Sequence, residues 1–317
     1  MAPAARSLTD IHGYNDYRQL LDEAKPDVAL VNPPFHRIGA VTRECLERGI
    51  HVFAEKPLAT GWADFLAIRG LATSSGPRLM SMLTMRYEGI FRAAHRLVAA
   101  GAIGAPVLLT AQKSYPLQGW DGGPRPAFYR KRSSYGGSIP WLGIHAIDLF
   151  QWFGGSAFTE VYASQTLLGN ESHDELESAA VMHFKMASGA LATASLDFLR
   201  RRPLAADIPR APQSPDGLPG ARGPGPDLGL PVPWGDDRLR IAGDKGIVEI
   251  REGILRISDD NGTREIAPDP ELPMFAAFLD WVEKGEPMLL STQDCLRAAE
   301  AALRARDAAD WGRVQTF

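Results

Sequence analysis

One short stretch decides the fold that this chain is expected to adopt: His51-Val52-Phe53-Ala54-Glu55-Lys56-Pro57-Leu58. Its first four residues are mostly apolar, as in a short buried strand, and the acid, base and proline that follow cannot continue a β-ladder. Ligands of an open parallel α/β sheet bind beyond the carboxyl ends of its strands, so Lys56 stands where a functional lysine is expected. A surface turn in which Glu55 and Lys56 form a solvated ion pair is the alternative interpretation.

The residues around this stretch predict a strand, a helix and a second strand. Residues 27–31 form an apolar run typical of a strand covered on both faces, and residues 38–48 show the period of a helix that Gly49 ends. With residues 51–54 as the next strand, the helical crossover makes the two strands parallel. A further helix and a strand over residues 79–85 follow, so half of a doubly wound sheet is expected.

Strands dominate the chain after residue 106. The segments with strand-like patterns are 107–111, 160–166, 178–185, 190–198, 238–242, 246–250 and 254–258. They predict a mainly antiparallel open-faced sheet, and two helices near residues 274–284 and 292–311 are expected to pack on it. Nine prolines and six glycines predict a long loop over residues 203–235.

The order of these elements predicts a fold of class α/β plus α+β, in two domains. Residues 1–88 are expected to form a partial Rossmann-type nucleotide-binding domain that lacks its first βαβ unit. Residues 89–317 are expected to form a substrate-binding and oligomerisation domain of α+β type, which contains the long loop and ends in the two helices.

Composition and charge narrow the class of partner. The 317 residues are 45% apolar and 23% charged, as in ordinary globular proteins, and the net charge of -4 offers no basic surface for nucleic acid or anionic membrane. No apolar run approaches the roughly 18 residues of a membrane helix, and residues 1–8 lack the apolar core of a signal peptide. A cytoplasmic protein that binds small molecules is therefore expected.

The cysteines and the possible metal ligands predict no redox or metal chemistry. Cys45 and Cys295 lie far apart in amphipathic helical patterns and are interpreted as packed thiols. A metal site would have to combine His145 and Asp148 with His173 and Asp174, which do not share ligand spacing on one rigid element, so none is expected.

The second informative stretch is residues 135–150. Gly136 and Gly137 allow a close approach of the backbone to a ligand, and the helix that follows carries His145 and Asp148 on one face. His145 is expected near the start of that helix, where the positive end of the helix dipole favours a neutral imidazole able to accept a proton. The alternative is a core histidine that Asp148 holds in one tautomer.

Both stretches, in this order and at this separation, resemble the Gfo/Idh/MocA family, named for glucose-fructose oxidoreductase, inositol dehydrogenase and a rhizopine catabolism protein. The residues that carry the resemblance are Glu55-Lys56-Pro57, Pro33-Pro34-Phe35-His36, Gly136-Gly137, and Gly143 with His145 and Asp148. The resemblance extends from about Tyr14 to Trp311 and is interrupted mainly at the long loop.

The resemblance implies an NAD(P)-dependent oxidoreductase that acts on a sugar, a polyol or a related small carbonyl compound. It implies that Lys56 contacts the substrate hydroxyl and the nicotinamide ribose and that His145 is the acid or base. Such a pair suits the chemistry, because hydride removal from an alcohol needs a proton acceptor and a cation beside the oxygen.

Family likeness also implies the remaining site residues and the assembly. The residues expected to contact NAD or NADP are Asn32, Pro33, His36, Glu55, Lys56 and Pro57. Those expected to contact the substrate are Lys56, Trp141, His145 and Asp148. Family members commonly form homo-oligomers through the open face of the second sheet, so the same is expected here.

Two departures from the family pattern bear on function. Several family dehydrogenases have an aspartate four residues before the histidine, where this chain has Trp141, whose ring could instead stack on a sugar. No G-x-G-x-x-G follows any predicted strand, and the strand, glycine-rich turn and helix with which family members begin are not found before Asp27.

A sheet without those elements would leave the strand at residues 27–31 as an exposed apolar edge, which favours a start site recorded too far downstream or a deletion. The alternative function is a catalytically inactive family member that serves as a binding or assembly protein without nucleotide.

Overall fold

The computed structural model describes residues 12–72, 76–117, 126–170, 175–200 and 236–317. The helices are α1 (Tyr17–Ala24), α2 (Phe35–Glu47), α3 (Trp62–Leu71), α4 (Gly89–Ala99), α5 (Arg132–Tyr135), α6 (Ile144–Gly154), α7 (Met274–Lys284) and α8 (Thr292–Trp311). The strands are β1 (Val28–Val31), β2 (His51–Ala54), β3 (Leu79–Ser81), β4 (Pro106–Ser114), β5 (Phe158–Thr166), β6 (Ala179–Met186), β7 (Leu191–Asp197), β8 (Asp236–Gly243), β9 (Gly246–Arg251), β10 (Ile254–Asp259), β11 (Gly262–Ile266) and β12 (Gln315–Thr316). The predicted loop at 203–235, His173 and Asp174 lie outside the described residues.

The small sheet has the order β1-β2-β3, and all its strands are parallel. The predicted strand-helix-strand unit is thereby confirmed, and Gly49 follows α2 with a φ of 77°, a conformation that favours glycine. Strand β3 is shorter than predicted, because its partner β2 ends at Ala54, opposite Ser81, and the following Pro57 cannot extend the ladder. A short 3₁₀ turn, Thr84–Tyr87, takes up the rest of the predicted strand.

Strand β1 lies at the edge of the small sheet within the described part of the chain. Leu30 is 57% exposed while Val31 is 3% exposed, so the expectation that this strand is covered on both faces was wrong. In the part of the chain that the structure describes, β1 pairs with β2 alone, as expected of an edge strand.

The large sheet has the order β11-β10-β9-β8-β4-β7-β6-β5-β12 and is antiparallel except where β4 pairs with β7. The predicted mainly antiparallel sheet is confirmed, while β11 and β12 were missed because the first is almost entirely exposed and the second has two residues. Inward side chains alternate with exposed ones, among them Leu108, Tyr162, Val181 and Leu191, so one face is open.

The two last helices have the predicted bounds but a different packing. Phe275 and Phe278 of α7 pack on Phe53 of β2, with ring centroids 5.1 and 5.4 Å away, so α7 covers the small sheet and not the large one. The expectation that both helices pack on the large sheet was therefore wrong for α7, because Phe53 is an apolar side chain that needs a cover.

Helix α8 connects the two sheets. The Thr292 hydroxyl donates to the carbonyl of Leu79 in β3 at 2.8 Å, while Ala308 near the other end lies buried in the core. Trp62 in α3 donates to Asp307 at 2.6 Å. The division at residue 88 thus separates the strands of the two sheets, but α7 and the start of α8 contact the small sheet. The domain boundary stays a prediction. Among the described helices, none is long and apolar enough to span a bilayer.

Candidate active site

Lys56 lies directly beyond the carboxyl end of β2. The backbone N–H of Glu55 still donates to the carbonyl of Val31 at 2.8 Å, and the Lys56 ammonium donates to the backbone carbonyl of Trp141 at 2.7 Å. Trp141 belongs to a π-helical turn, Ile139–Gly143, that leads into α6. The contact joins the rim of the small sheet to the second informative stretch, 85 residues further along the chain.

The side chain of Trp141 is packed among aromatic residues. Its ring stacks on that of Phe198, with the centroids 4.8 Å apart and an interplanar angle of 7°. The ring centroid of Tyr129 lies 4.7 Å from that of Trp141. The residue is 7% exposed, which leaves little room for the predicted sugar-stacking wall. Lys56 faces both the carbonyl oxygen of Trp141 and its ring, whose centroid lies 5.6 Å from Nζ. The carbonyl is an uncharged acceptor at the position where several family dehydrogenases have an aspartate.

His145 is the half-buried imidazole of the site. Burial lowers its pKa well below 6.5, and the ammonium groups of Lys56 and Lys113 lower this pKa further. Its Nδ1 atom is buried and has no hydrogen-bond partner among the described residues. A neutral ring with an uncommitted nitrogen is the state that a general base requires.

The expected cause of this neutral state was wrong. The helical run begins at Ser138, about two turns before His145, so the residue does not lie at a free helix start. Desolvation and two neighbouring cations, rather than the helix dipole, keep the imidazole uncharged.

Asp148 is engaged in a buried ion pair with Arg86. The Arg86 guanidinium donates through Nη2 to Oδ1 at 2.6 Å and through Nε to Oδ2 at 3.0 Å, and both side chains are at most 3% exposed. Asp148 therefore neither fixes the tautomer of His145 nor offers an oxygen to a substrate, which corrects both predictions for it. Arg86 lies in the turn after β3 and also donates to the carbonyl of Leu289 at 3.0 Å, so it links α6 to this turn and to the segment before α8.

Sequence reasoning missed a second lysine. Lys113 is 4% exposed on the inward side of β4 and forms an ion pair with Asp237, its direct partner on β8. The hydroxyl of Tyr115 donates to the same carboxylate at 2.7 Å. The sequence signal that could have revealed Lys113 is the alternation of the inward residues Leu109, Ala111 and Lys113. It was missed because we predicted this strand to end at residue 111.

The residues expected to contact a dinucleotide all lie at the carboxyl ends of β1 and β2. Asn32 and His36 are exposed, and Pro33 is half-buried. Glu55 and Lys56 are half-buried beside them, whereas Pro57 is buried. The donors of Asn32, His36 and Lys56 fit the nicotinamide ribose end of such a cofactor. The 317-residue sequence contains no G-x-G-x-x-G turn for the pyrophosphate.

The described residues contain no cluster of three His, Cys, Asp or Glu side chains placed to hold a metal ion. Cys45 and Cys295 are both buried, as expected of packed thiols.

Fold and site together define an oxidoreductase with an NAD-binding Rossmann domain. The model of the oxidoreductase family with an NAD-binding Rossmann fold matches residues 2–82, and that of the GFO/IDH/MocA C-terminal domain matches residues 91–249. The chain belongs to the Gfo/Idh/MocA family.

Two curated relatives illustrate the relationship. Myo-inositol 2-dehydrogenase of Thermotoga maritima is 25% identical over 297 residues, which cover 89% of this chain and 77% of that protein. YrbE, an uncharacterized oxidoreductase of Bacillus subtilis, is 28% identical over 180 residues, which cover 56% of this chain and only 50% of the relative.

Solved structures share the architecture. A Thermotoga maritima structure assigned as an oxidoreductase has a TM-score of 0.82 and 35% identity, with 96% of this chain and 84% of that chain covered. Aldose-aldose oxidoreductase of Caulobacter crescentus, complexed with glycerol, has a TM-score of 0.74 at 19% identity over 95% of this chain and 82% of its own, which shows the fold alone.

Proposed function

We propose that this chain is an NAD(P)-dependent oxidoreductase that acts on a sugar or polyol. The observation that carries the proposal is the junction of Lys56 with the Trp141 carbonyl, four residues before His145 in one helical run. It brings an ammonium group and a neutral imidazole to the same edge of the small sheet.

The two side chains divide the chemistry between them. His145 accepts the proton of the reacting hydroxyl on its neutral ring, and the Lys56 ammonium donates a hydrogen bond to the same oxygen as negative charge develops. NAD(P)+, when bound, supplies the hydride acceptor. Arg86 and Asp148 hold α6, and with it His145, in place.

The substrate class is proposed from the relatives. Myo-inositol 2-dehydrogenase of Thermotoga maritima and scyllo-inositol 2-dehydrogenase (NAD(+)) of Bacillus subtilis act on inositols by name. We propose that this chain likewise acts on a cyclic polyol or an aldose. We make no choice between NAD and NADP as its cofactor.

Assembly through the open sheet face is part of the same proposal. Leu108, Tyr162, Val181 and Leu191 expose apolar surface on that face, which a second copy of the chain would cover. A cytoplasmic location and the absence of nucleic-acid binding stay predictions.

The test combines nucleotide binding and turnover. The chain is titrated with NADH and NADPH while nicotinamide fluorescence is followed, and myo-inositol oxidation is measured with NAD+ and NADP+. Oxidation that disappears in His145→Ala supports the proposal. Because the sequence lacks the glycine-rich turn, we expect nucleotide binding to be weak, and micromolar affinity would contradict that account of the cofactor site.

The alternative function predicts a different outcome of the turnover measurement. A binding or assembly protein would retain polyol binding and oligomerisation with no turnover on either nucleotide. Within the described residues β1 has a strand on one side only, which favours this alternative because a free strand edge is a template for pairing with another chain.

A further inference from the structure

An ion pair near the end of β4 takes part in the chemistry proposed above only through the effect of Lys113 on the pKa of His145. Lys113 and Asp237 lie directly opposite each other in the β4–β8 ladder, and Tyr115 donates to the second carboxylate oxygen at 2.7 Å. The side chain of Lys113 is 5% exposed and that of Asp237 is 32% exposed. The ammonium is therefore held inside the protein, while its counter-ion is partly exposed to solvent.

Helix α6 places His145 at the level of this pair. A Cβ atom on Gly143 would lie 3.1 Å from Leu196, and Leu196 pairs with Lys113 in the β7–β4 register. A Cβ atom on Gly154, at the other end of α6, would lie 3.9 Å from Leu109. The helix thus runs along β4 with its first turn, which contains His145, above Lys113.

A second contact supports the same placement. The Lys113 ammonium lies 3.6 Å from the sulfur of Met85. Arg86, the residue after Met85, forms the ion pair with Asp148 on α6. The Lys113 side chain, which extends from β4, therefore lies close to the turn after β3, and this turn contacts the helix that carries His145.

Lys113 and Asp237 carry opposite charges. Asp237 compensates the charge of Lys113, so the pair offers a strong donor and a strong acceptor side by side with no net charge. A hydroxyl group can accept from the ammonium and donate to the carboxylate. A carboxylate ligand would gain from Lys113 but meet like-charge repulsion from Asp237.

We propose that Lys113 and Asp237 bind a second hydroxyl group of the substrate, away from the reacting one, and thereby select neutral polyhydroxy compounds over carboxylated ones. The inference rests on the proposed function, because it assigns specificity residues to the same site.

The experiment compares D-glucose with D-glucuronate, which differ in a single group, by saturation-transfer NMR on the full chain at about pH 7.5 without nucleotide. We expect the unmodified chain to prefer D-glucose. Asp237→Asn removes the carboxylate that pairs directly with Lys113 and leaves Glu88 as the remaining acidic group near this ammonium, and it should shift the affinity ratio about tenfold toward D-glucuronate. Lys113→Met should weaken D-glucose binding by about tenfold with no gain for D-glucuronate.

The matched control is an ion pair of the same kind elsewhere in the same sheet. Lys185 and Glu160 face each other across β6 and β5 at 3.3 Å and are both exposed. Lys185→Met and Glu160→Gln should leave both affinities unchanged. Equal effects at this pair and at Lys113 and Asp237 would overturn the inference.

A double variant covers the case in which Asp237→Asn does not fold because Lys113 is left buried without its direct counter-ion. Lys113→Gln combined with Asp237→Asn retains donor and acceptor groups without charge. It should lower the affinity for D-glucose several-fold and keep the preference for D-glucose. Unchanged D-glucose affinity in a folded double variant would overturn the inference.

The outcomes separate this inference from the proposed function. If D-glucose binds and Asp237→Asn leaves the ratio unchanged, the inference fails while the proposed function stands. If the ratio shifts as expected but no hydride transfer occurs with either nucleotide, the proposed function fails and the assignment of Lys113 and Asp237 to sugar recognition stands. If neither sugar binds the unmodified chain, the inference fails, while the proposed function is still decided by the oxidation of myo-inositol.

Discussion

The rim of the small sheet and the end of β4 in the large sheet each present one lysine toward α6, in two different electrostatic states. Lys56 is half-buried and donates to an uncharged backbone carbonyl at 2.7 Å, whereas Lys113 is buried against the carboxylate of Asp237. A carbonyl orients an ammonium group without cancelling its charge, while a carboxylate cancels it. The proposed roles follow this difference in direct partners: Lys56 stabilises developing negative charge, and Lys113 binds a neutral hydroxyl.

The largest expected difference is in turnover. Lys56→Met should lower kcat/KM for the best polyol substrate by about 10³-fold, mainly through kcat, because the cation beside the developing alkoxide is lost. Lys113→Met should lower it by about tenfold, mainly through KM. Steady-state kinetics with NAD+ or NADP+ measure both, and equal kcat losses would erase the distinction between the two lysines.

A comparable contrast is expected in stability. Arg86→Met leaves Asp148 buried without its counter-ion and should lower the free energy of unfolding by about 3–5 kcal/mol. Lys113→Met leaves a partly exposed carboxylate that water can reach, and should cost about 1–2 kcal/mol. Urea unfolding curves provide the comparison, with the exposed Lys185→Met as the control expected to change little.

The pH dependence tests whether both lysines act on His145. Since the pKa of His145 is lowered well below 6.5, the acidic limb of the kcat/KM profile should lie below pH 6.5. The unfolded chain binds this proton more readily than the folded one, so the stability contribution is complete above about pH 6.5 and is lost as the pH falls.

Titration of His145 followed by NMR gives the same pKa without turnover. Lys56→Met should raise this pKa more than Lys113→Met, because Lys56 has the larger effect of the two cations and Asp237 compensates Lys113. A His145 that titrates at its ordinary pKa in the unmodified chain would contradict the description of the site.

The smallest expected effect is in the rate at which the two cysteine thiols react with a labelling reagent. Burial raises the pKa of Cys45 to about 11 and that of Cys295 to about 12, so neither should react measurably with a disulfide reagent in the folded chain at neutral pH. Cys45 lies in α2 behind the small sheet, and Cys295 lies in α8 where it accepts from the Ser81 N–H at 3.3 Å. Their order of labelling under mild denaturant reports which region opens first, and rapid labelling of Cys295 in buffer would show that the junction of the sheets is open.

Sequence reasoning located the two proposed catalytic residues but not the groups that hold them. Lys56 and His145 stand out because each follows a local pattern, a strand that stops at a proline and a glycine-rich entry to an apolar helix. Arg86 and Lys113 carry no such pattern, and their partners lie 62 and 124 residues away. The neutral state of His145 was anticipated for the wrong reason, since the preceding π-helical turn removes the helix end on which that expectation relied.

The sequence by itself determined the parallel small sheet, the mainly antiparallel large sheet and the bounds of α7 and α8, because period, glycine and proline act on neighbouring residues. Only the tertiary structure decided that α7 covers Phe53, that the Trp141 carbonyl meets Lys56, and that Asp148 belongs to Arg86 rather than to a substrate. These contacts depend on which faces need apolar cover and which buried charges need a counter-ion, and both requirements are met by residues that the chain supplies from far away.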